Sequence, residues 1–389
     1  MRLGVIGYGH RISHMIGEII KQDPSCNVAA IVDVRKDVIG EEQLRDGRDT
    51  VQYYTEPEEM LESGQIDGVL IGTRCSLHTS MALKVMKSGL PLFLEKPVAT
   101  TARDLYRLKA GYEQAKAGVI VSFPLRLTSL VELVKDIVDS GKIGTVEHIQ
   151  AVNNVPYGSV YFQSWYRDEN ETGGLFLQKA THDFDYINAI VKQQPKVVSA
   201  MISKQIFKGS KTAGLRCVDC GENRTCPEST AFRTDGMKEA WPFCCFAEDT
   251  GNEDSGSALV RYESGMHLSY SQNFFARRGA QARGARFLGY KGTVEFDFYT
   301  GIVKVYMHHT PRIETYELFA GDNHFGGDAA LARNFIEMMQ SGAPSLSTLD
   351  DGLTSAFMCL AAKYSSETGA FQSLEWSNKL EMTELNYCQ

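Results

Sequence analysis

The first 33 residues constrain the fold more than any other stretch. Residues 2–6, RLGVI, form a short apolar run that enters Gly7-Tyr8-Gly9-His10-Arg11 directly. Ile12, Met15, Ile16, Ile19 and Ile20 then recur three and four apart, which predicts a helix with one apolar face. A second apolar run, NVAAIV, ends on Asp33. Strand, glycine turn, helix, strand and acid are the opening half of a dinucleotide-binding fold. Gly7 permits the tight turn and Gly9 lets backbone N–H groups approach a pyrophosphate, with the positive end of the helix behind them. Tyr8, His10 and Arg11 complete the expected cofactor turn, and Asp33 would accept hydrogen bonds from an adenosine ribose. That favours NAD, while Arg35 leaves NADP open. The third glycine of the usual pattern is replaced by Ile12.

Strand–helix alternation continues. The pattern predicts strands at 51–54, 67–73 and 118–123 and helices at 56–63, 76–88 and 101–117. Between them lies GLPLFLEKPVAT, an apolar run, Leu92-Phe93-Leu94, that ends on Glu95-Lys96-Pro97. Ligands of open parallel sheets sit beyond the strand carboxyl ends. Thr73, Arg74, His78, Glu95, Lys96 and Pro97 are therefore candidate cofactor contacts. From Pro124 the strands become long and grouped, with one read across 257–275. The expected architecture is an α/β Rossmann domain over 1–123, then an α+β domain over 124–389 with a large, mostly antiparallel open sheet. The last helices are expected to pack back on the Rossmann domain.

Composition narrows the function. A net charge of −8 over 389 residues argues against nucleic acid or an anionic membrane surface as partner. No apolar run reaches the ~20 residues of a membrane span. The chain enters its first strand at once, so a cytoplasmic protein without a signal peptide is expected. Nine cysteines in a reducing compartment are not a disulfide framework. Cys217, Cys220, Cys226 and Cys244 have spacing compatible with a closed structural zinc site, and free thiols in an inserted loop are the other reading.

The GYGHR turn, VLIGTRCSLH, EKP, GGLFLQKATHDFD and the closing helix after PSLSTLDDG fall in an order that resembles the Gfo/Idh/MocA oxidoreductase family. The resemblance covers nearly the whole chain. It implies NAD(P)-dependent oxidation or reduction of a hydroxyl carbon on a sugar, polyol or derivative. It also implies that Lys96 contacts the reacting hydroxyl, that Pro97 is the motif proline, often cis, and that His182 is the acid/base. The family commonly carries an aspartate four residues before that histidine. Gln178 stands there, followed by Lys179, as in a subgroup with a lysine and a THxFD motif. Asp183 or Asp185 is left to orient His182.

The chemistry agrees with these residue types. A histidine titrates near neutrality and can move one proton either way. A lysine stabilises a developing alkoxide. Lys179 shares a helix face with His182 and is read as a substrate or histidine-tuning group, or as an ion-pair partner of Asp183. Trp165, with Tyr166 beside it, and Arg167 are read as a sugar-stacking wall with a charged tip, or as core and hinge. His324 is a further substrate candidate, and Asp328 a helix N-cap. Two other functions stay open: glycoside cleavage through transient oxidation by tightly held NAD, and NAD-binding regulation without catalysis. By analogy, the exposed sheet face of the second domain suggests a homodimer or homotetramer.

Overall fold

The structure is a computed structural model that describes residues 1–35, 39, 51–115, 117–318 and 323–376. The chain divides into two compact units, one of residues 1–132 with 319–357 and one of 133–318 with 358–389.

The first unit is a parallel sheet. Its strands are β1 (Arg2–Ile6), β2 (Asn27–Val32), β3 (Gln52–Tyr54), β4 (Gly68–Ile71), β5 (Leu92–Leu94) and β6 (Val119–Val121), in the order β3-β2-β1-β4-β5-β6. The order reverses at β1, which places a crevice beyond its carboxyl end. Helices α1 (His10–Gln22), α2 (Pro57–Glu62), α3 (His78–Ser88) and α4 (Ala102–Gln114) make the crossovers. Ile12, Met15, Ile16 and Ile19 of α1 are buried, the face that the sequence spacing predicts. The missing third glycine has a local reason. A Cβ on Gly72, past β4, would fall 2.0 Å from Cγ1 of Ile12. The close approach of helix and strand is thus provided by a glycine on the strand side, and Ile12 fills the space.

The chain returns to this unit late. Helix α7 (Gly327–Ser341) sends Leu331, Phe335 and Met338 into the core formed by Leu3, Val5, Ile16, Leu70, Phe93 and Ile120. Phe93 and Phe335 meet edge to face, their ring centres 5.7 Å apart.

The second unit begins in helix α5 (Ser129–Asp139) and holds α6 (Thr181–Val191) and a nine-stranded sheet. Its strands are β7 (Val146–Asn154), β8 (Pro195–Ser203), β9 (Ser255–Tyr262), β10 (His267–Asn273), β11 (Ala282–Gly289), β12 (Gly292–Asp297), β13 (Ile302–Met307), β14 (Ile313–Glu317) and β15 (Gln372–Ser373). They run in the order β14-β13-β12-β11-β7-β10-β9-β8-β15, antiparallel except for the central β7–β10 pair. The single strand expected over 257–275 is a hairpin. Gly265, at φ +95°, turns the chain, and Tyr262 N–H donates to Met266 O at 2.8 Å. Strand β14 escaped the sequence reading because alternation over five residues is a weak signal. Among the described residues, no helix is long and apolar enough to cross a membrane.

Candidate functional site

In the first unit, β1 delivers the chain into a turn only glycine accommodates. Gly7 has φ +82°, and a Cβ there would fall 2.6 Å from Thr73 N. Gly9 caps α1 without any side-chain hydrogen bond, so the first-turn N–H groups stay open to an anion. Asp33 follows β2, its Oδ2 accepting from Tyr8 N and its Oδ1 from Arg35 N, both at 2.8 Å. Burial would raise this carboxyl. The Arg35 contacts and the Tyr8 N–H outweigh burial and hold it below the usual carboxylate range. Turn, helix end and acid fit an NAD pyrophosphate and adenosine ribose. Tyr8 is partly buried at this turn, and His10 and Arg74 are exposed.

Arg11 has a different task. Its guanidinium holds both oxygens of Asp328, at 2.5 and 3.1 Å, and Oε1 of Glu95 at 3.2 Å. Asp328 is no N-cap: Gly326 occupies that position. Asp328 also meets His14 at 3.3 Å and Nδ1 of His324 at 2.8 Å. Burial opposes its charge, but His324 and Arg11 hold the carboxyl well below the ordinary range. His324 therefore belongs to this first-unit network.

Lys96 is partly exposed past β5, joined to Pro97 by a cis peptide bond. His78 lies behind it and is 1% exposed, with Nδ1 2.7 Å from Pro97 O and Nε2 3.2 Å from Thr73 O. Thr79 Oγ1 donates to Val98 O at 3.1 Å. The first turn of α3 thus holds the Lys96 loop against the Thr73 loop. His78, expected among the cofactor contacts, faces inward as part of that clamp.

In the second unit, Gly173 and Gly174, both at positive φ, lead into a π-helix over Phe176–Ala180 that continues as α6. Inserted turns of this kind recur at functional sites. The wide turn carries Lys179, and His182 follows in the first turn of α6, partly exposed. Lys179 does not pair with Asp183. Its Nζ donates to Tyr157 Oη at 2.8 Å and lies over the rings of Tyr157 and Tyr161. Gln178, in the place of the family aspartate, donates to Thr172 O at 2.8 Å.

Asp183 is fully buried. It accepts from Asn153 Nδ2 at 2.7 Å, Tyr270 Oη at 2.8 Å and Arg283 Nε at 2.8 Å. Burial opposes the charge of Arg283, and Asp183 more than restores it. Tyr157, Tyr161, Asn153, Tyr270 and Arg283 carry no motif. The aromatic richness of residues 156–166 was the available signal for the first two, and nothing in ARGARFLG marks Arg283.

Trp165 and Tyr166 stack on each other with ring centres 3.9 Å apart. The charged tip expected at Arg167 is withdrawn. That side chain is buried, paired with Asp249 and laid over Phe243 at 4.7 Å. The segment after β8 makes this cover, with Phe207, Cys245, Trp241 and Phe246 packed on Tyr161, Phe162 and Tyr166.

The zinc centre expected from Cys217, Cys220, Cys226 and Cys244 is not assembled. Among the described residues, no three His, Cys, Asp or Glu side chains are placed to hold a metal ion. Cys217 Sγ donates to Phe243 O at 3.4 Å. Burial pushes the Cys226 and Cys244 thiols up, and Cys217 and Cys220 add to the rise.

Comparison with known proteins follows the same division. Residues 1–123 match the description "Oxidoreductase family, NAD-binding Rossmann fold", and residues 131–295 match "GFO/IDH/MocA C-terminal domain". The chain is 28% identical over 214 residues to myo-inositol 2-dehydrogenase of Thermotoga maritima, covering 54% of this chain and 61% of that protein. It is 24% identical over 209 residues to the rhizopine catabolism protein MocA of Rhizobium meliloti, covering 54% and 63%. The matches thus span about three fifths of the length of these curated relatives. A levoglucosan dehydrogenase solved with NADH and levoglucosan superposes with a TM-score of 0.77 at 16% identity, over 96% of this chain and 99% of that one. Aldose-aldose oxidoreductase of Caulobacter crescentus, solved with glycerol, gives 0.71 at 16%, over 96% and 99%. At such identities the solved structures speak for the fold.

Proposed function

Because the chain belongs to the Gfo/Idh/MocA oxidoreductase family, we propose that it is an NAD(H)-dependent dehydrogenase acting on a secondary alcohol of a sugar, polyol or sugar derivative. The observation that carries this reading is the first-unit layout. A glycine turn, an open helix N-terminus and Asp33 line one end of the sheet, and Lys96 leaves β5 at the same carboxyl edge. Bound there, NAD would supply the hydride acceptor. Lys96 hydrogen-bonds the substrate oxygen and stabilises the alkoxide as its charge develops. His182 takes the hydroxyl proton on oxidation and returns it on reduction.

A homodimer or homotetramer in the cytoplasm belongs to the same proposal. The open face of the large sheet exposes Met201 and Leu259 beside Arg286, Glu295 and Lys304. Both signs of charge and apolar surface on one face suit a second copy of that face.

The test is a panel of sugars, polyols, glycosides and sugar acids scored by NADH formation, with NADP in parallel. Lys96→Ala combined with His182→Ala is expected to lower kcat/KM at least 1,000-fold, about 4 kcal/mol of barrier, while NADH still binds. Normal turnover in the double variant would sink the catalytic assignment.

A further inference from the structure

Lys179 is 8% exposed, yet among the described residues its ammonium meets neutral groups alone. Tyr157 Oη accepts from Nζ at 2.8 Å, and the ring centres of Tyr157 and Tyr161 lie 4.8 and 5.1 Å away. Phenol and ring faces offset part of the cost of burying a charge, but they do not neutralise it.

A second cation of this unit, Arg283, is matched by a carboxylate. Its Nη2 is buried and lies 2.8 Å from Asp183 Oδ1, in ion-pair contact without an aligned hydrogen bond. The other oxygen of Asp183 is occupied by Asn153 and Tyr270. Asp297, the next carboxylate along, accepts from the backbone N–H groups of Arg283, Tyr299 and Thr300. Arg283 is thus matched by Asp183, whereas among the described residues Lys179 has no carboxylate partner.

We propose that Lys179 binds a carboxylate carried by the substrate, so that the physiological substrate is an acidic carbohydrate such as a uronic or aldonic acid. The inference rests on the dehydrogenase reading and deepens it. An ammonium takes a carboxylate oxygen by a charge-assisted hydrogen bond. The Tyr157 and Tyr161 rings supply apolar faces against which a pyranose can lie. Lys179 stands three residues before His182, so the carboxylate would be anchored beside the reacting hydroxyl.

Calorimetric binding to the intact protein with NADH present, paired with NADH formation from NAD, tests this on matched ligands: hexuronates, aldonates, hexose phosphates and the parent neutral hexoses. The wild type is expected to bind at least one carboxylate-bearing ligand 10-fold or more tighter than its neutral parent, with a preference that weakens as salt is raised. Lys179→Met should erase most of that ratio and change neutral-sugar binding less than 3-fold. Tyr157→Phe, which keeps the ring and loses the hydroxyl, should retain the ratio. A neutral sugar bound and oxidised as well as its acid, a ratio unmoved by Lys179→Met, or a preference for phosphate over carboxylate overturns the inference and leaves the dehydrogenase reading standing. No binding and no NADH from any member of this panel overturns the inference, and no NADH from the polyols and glycosides as well overturns the dehydrogenase reading with it.

Discussion

Both oxygens of Asp33 are engaged by protein N–H groups, yet the carboxylate lies where a ribose would need acceptors. Arg35, the cation beside it, is mostly exposed and folds back, Nη2 donating to Tyr8 O at 3.0 Å and Nε to Asp33 Oδ1 at 3.2 Å. A 2′-phosphate would have to displace Arg35 and face the carboxylate, and like charges this close are strongly disfavoured. NADH is therefore expected to bind at least 10-fold tighter than NADPH. Asp33→Ser should narrow that ratio about 10-fold, some 1.4 kcal/mol, measured by nicotinamide fluorescence on binding. Equal affinities in the wild type would refute the assignment. This acid could be read from sequence because strand, turn and helix lengths leave it one place to be. Arg167 could not: its neighbours Asp249 and Phe243 are far along the chain, and the packing of that segment decides whether it reaches solvent. Arg283 was invisible for the same reason, since its partner Asp183 is supplied from 100 residues away.

The element that organises the second-unit site is the π-helix and the glycine turn before it. Residue spacing predicts an amphipathic helix there but says nothing of a widened turn, which tertiary contacts impose. Glu253 is one of those contacts. It is buried, accepts from Phe176 N at 2.7 Å, and its Oε2 lies 3.3 Å from where a Cβ on Gly174 would stand. Burial raises its carboxyl, and the backbone N–H groups of the turn only partly oppose the rise. The group favours the folded state at low pH, and that contribution is lost as pH climbs from the unfolded value through the raised folded one. Glu253→Gln removes the titration and keeps an acceptor for Phe176. Its stability relative to wild type, from urea midpoints at pH values spaced upward from the unfolded carboxyl value, should rise with pH. A pH-independent difference would rule out Glu253 as the titrating group.

At the scale of the whole molecule, strand alternation followed by grouped strands was enough to foresee two sheets of different kind. Their strand orders and the β9–β10 hairpin depend on contacts that no short window of sequence contains. The proposed pairing through the open face rests on side chains that alternate outward, Leu259 at 54% and Met201 at 80% exposure. Charge placed on both, Leu259→Glu with Met201→Glu, should convert the protein to monomers in sedimentation and cost the folded chain less than about 1 kcal/mol, since neither side chain is in a core. A wild-type protein that is monomeric at micromolar concentration would dismiss the interface. The late return of the chain has a consequence for synthesis. Phe335 and Met338 complete the core around Phe93, yet they are made after all but the last strand of the large sheet. A ribosome that has finished residue 123 has made every strand of the nucleotide sheet but not the helix that seals it. The nascent half must wait, with apolar surface uncovered, while some 200 further residues are added at roughly 5–20 per second. Whatever protects it during that interval of ten seconds or more, the nucleotide-binding half of this protein is not a cassette that can be cut out at residue 123 and expected to close on its own.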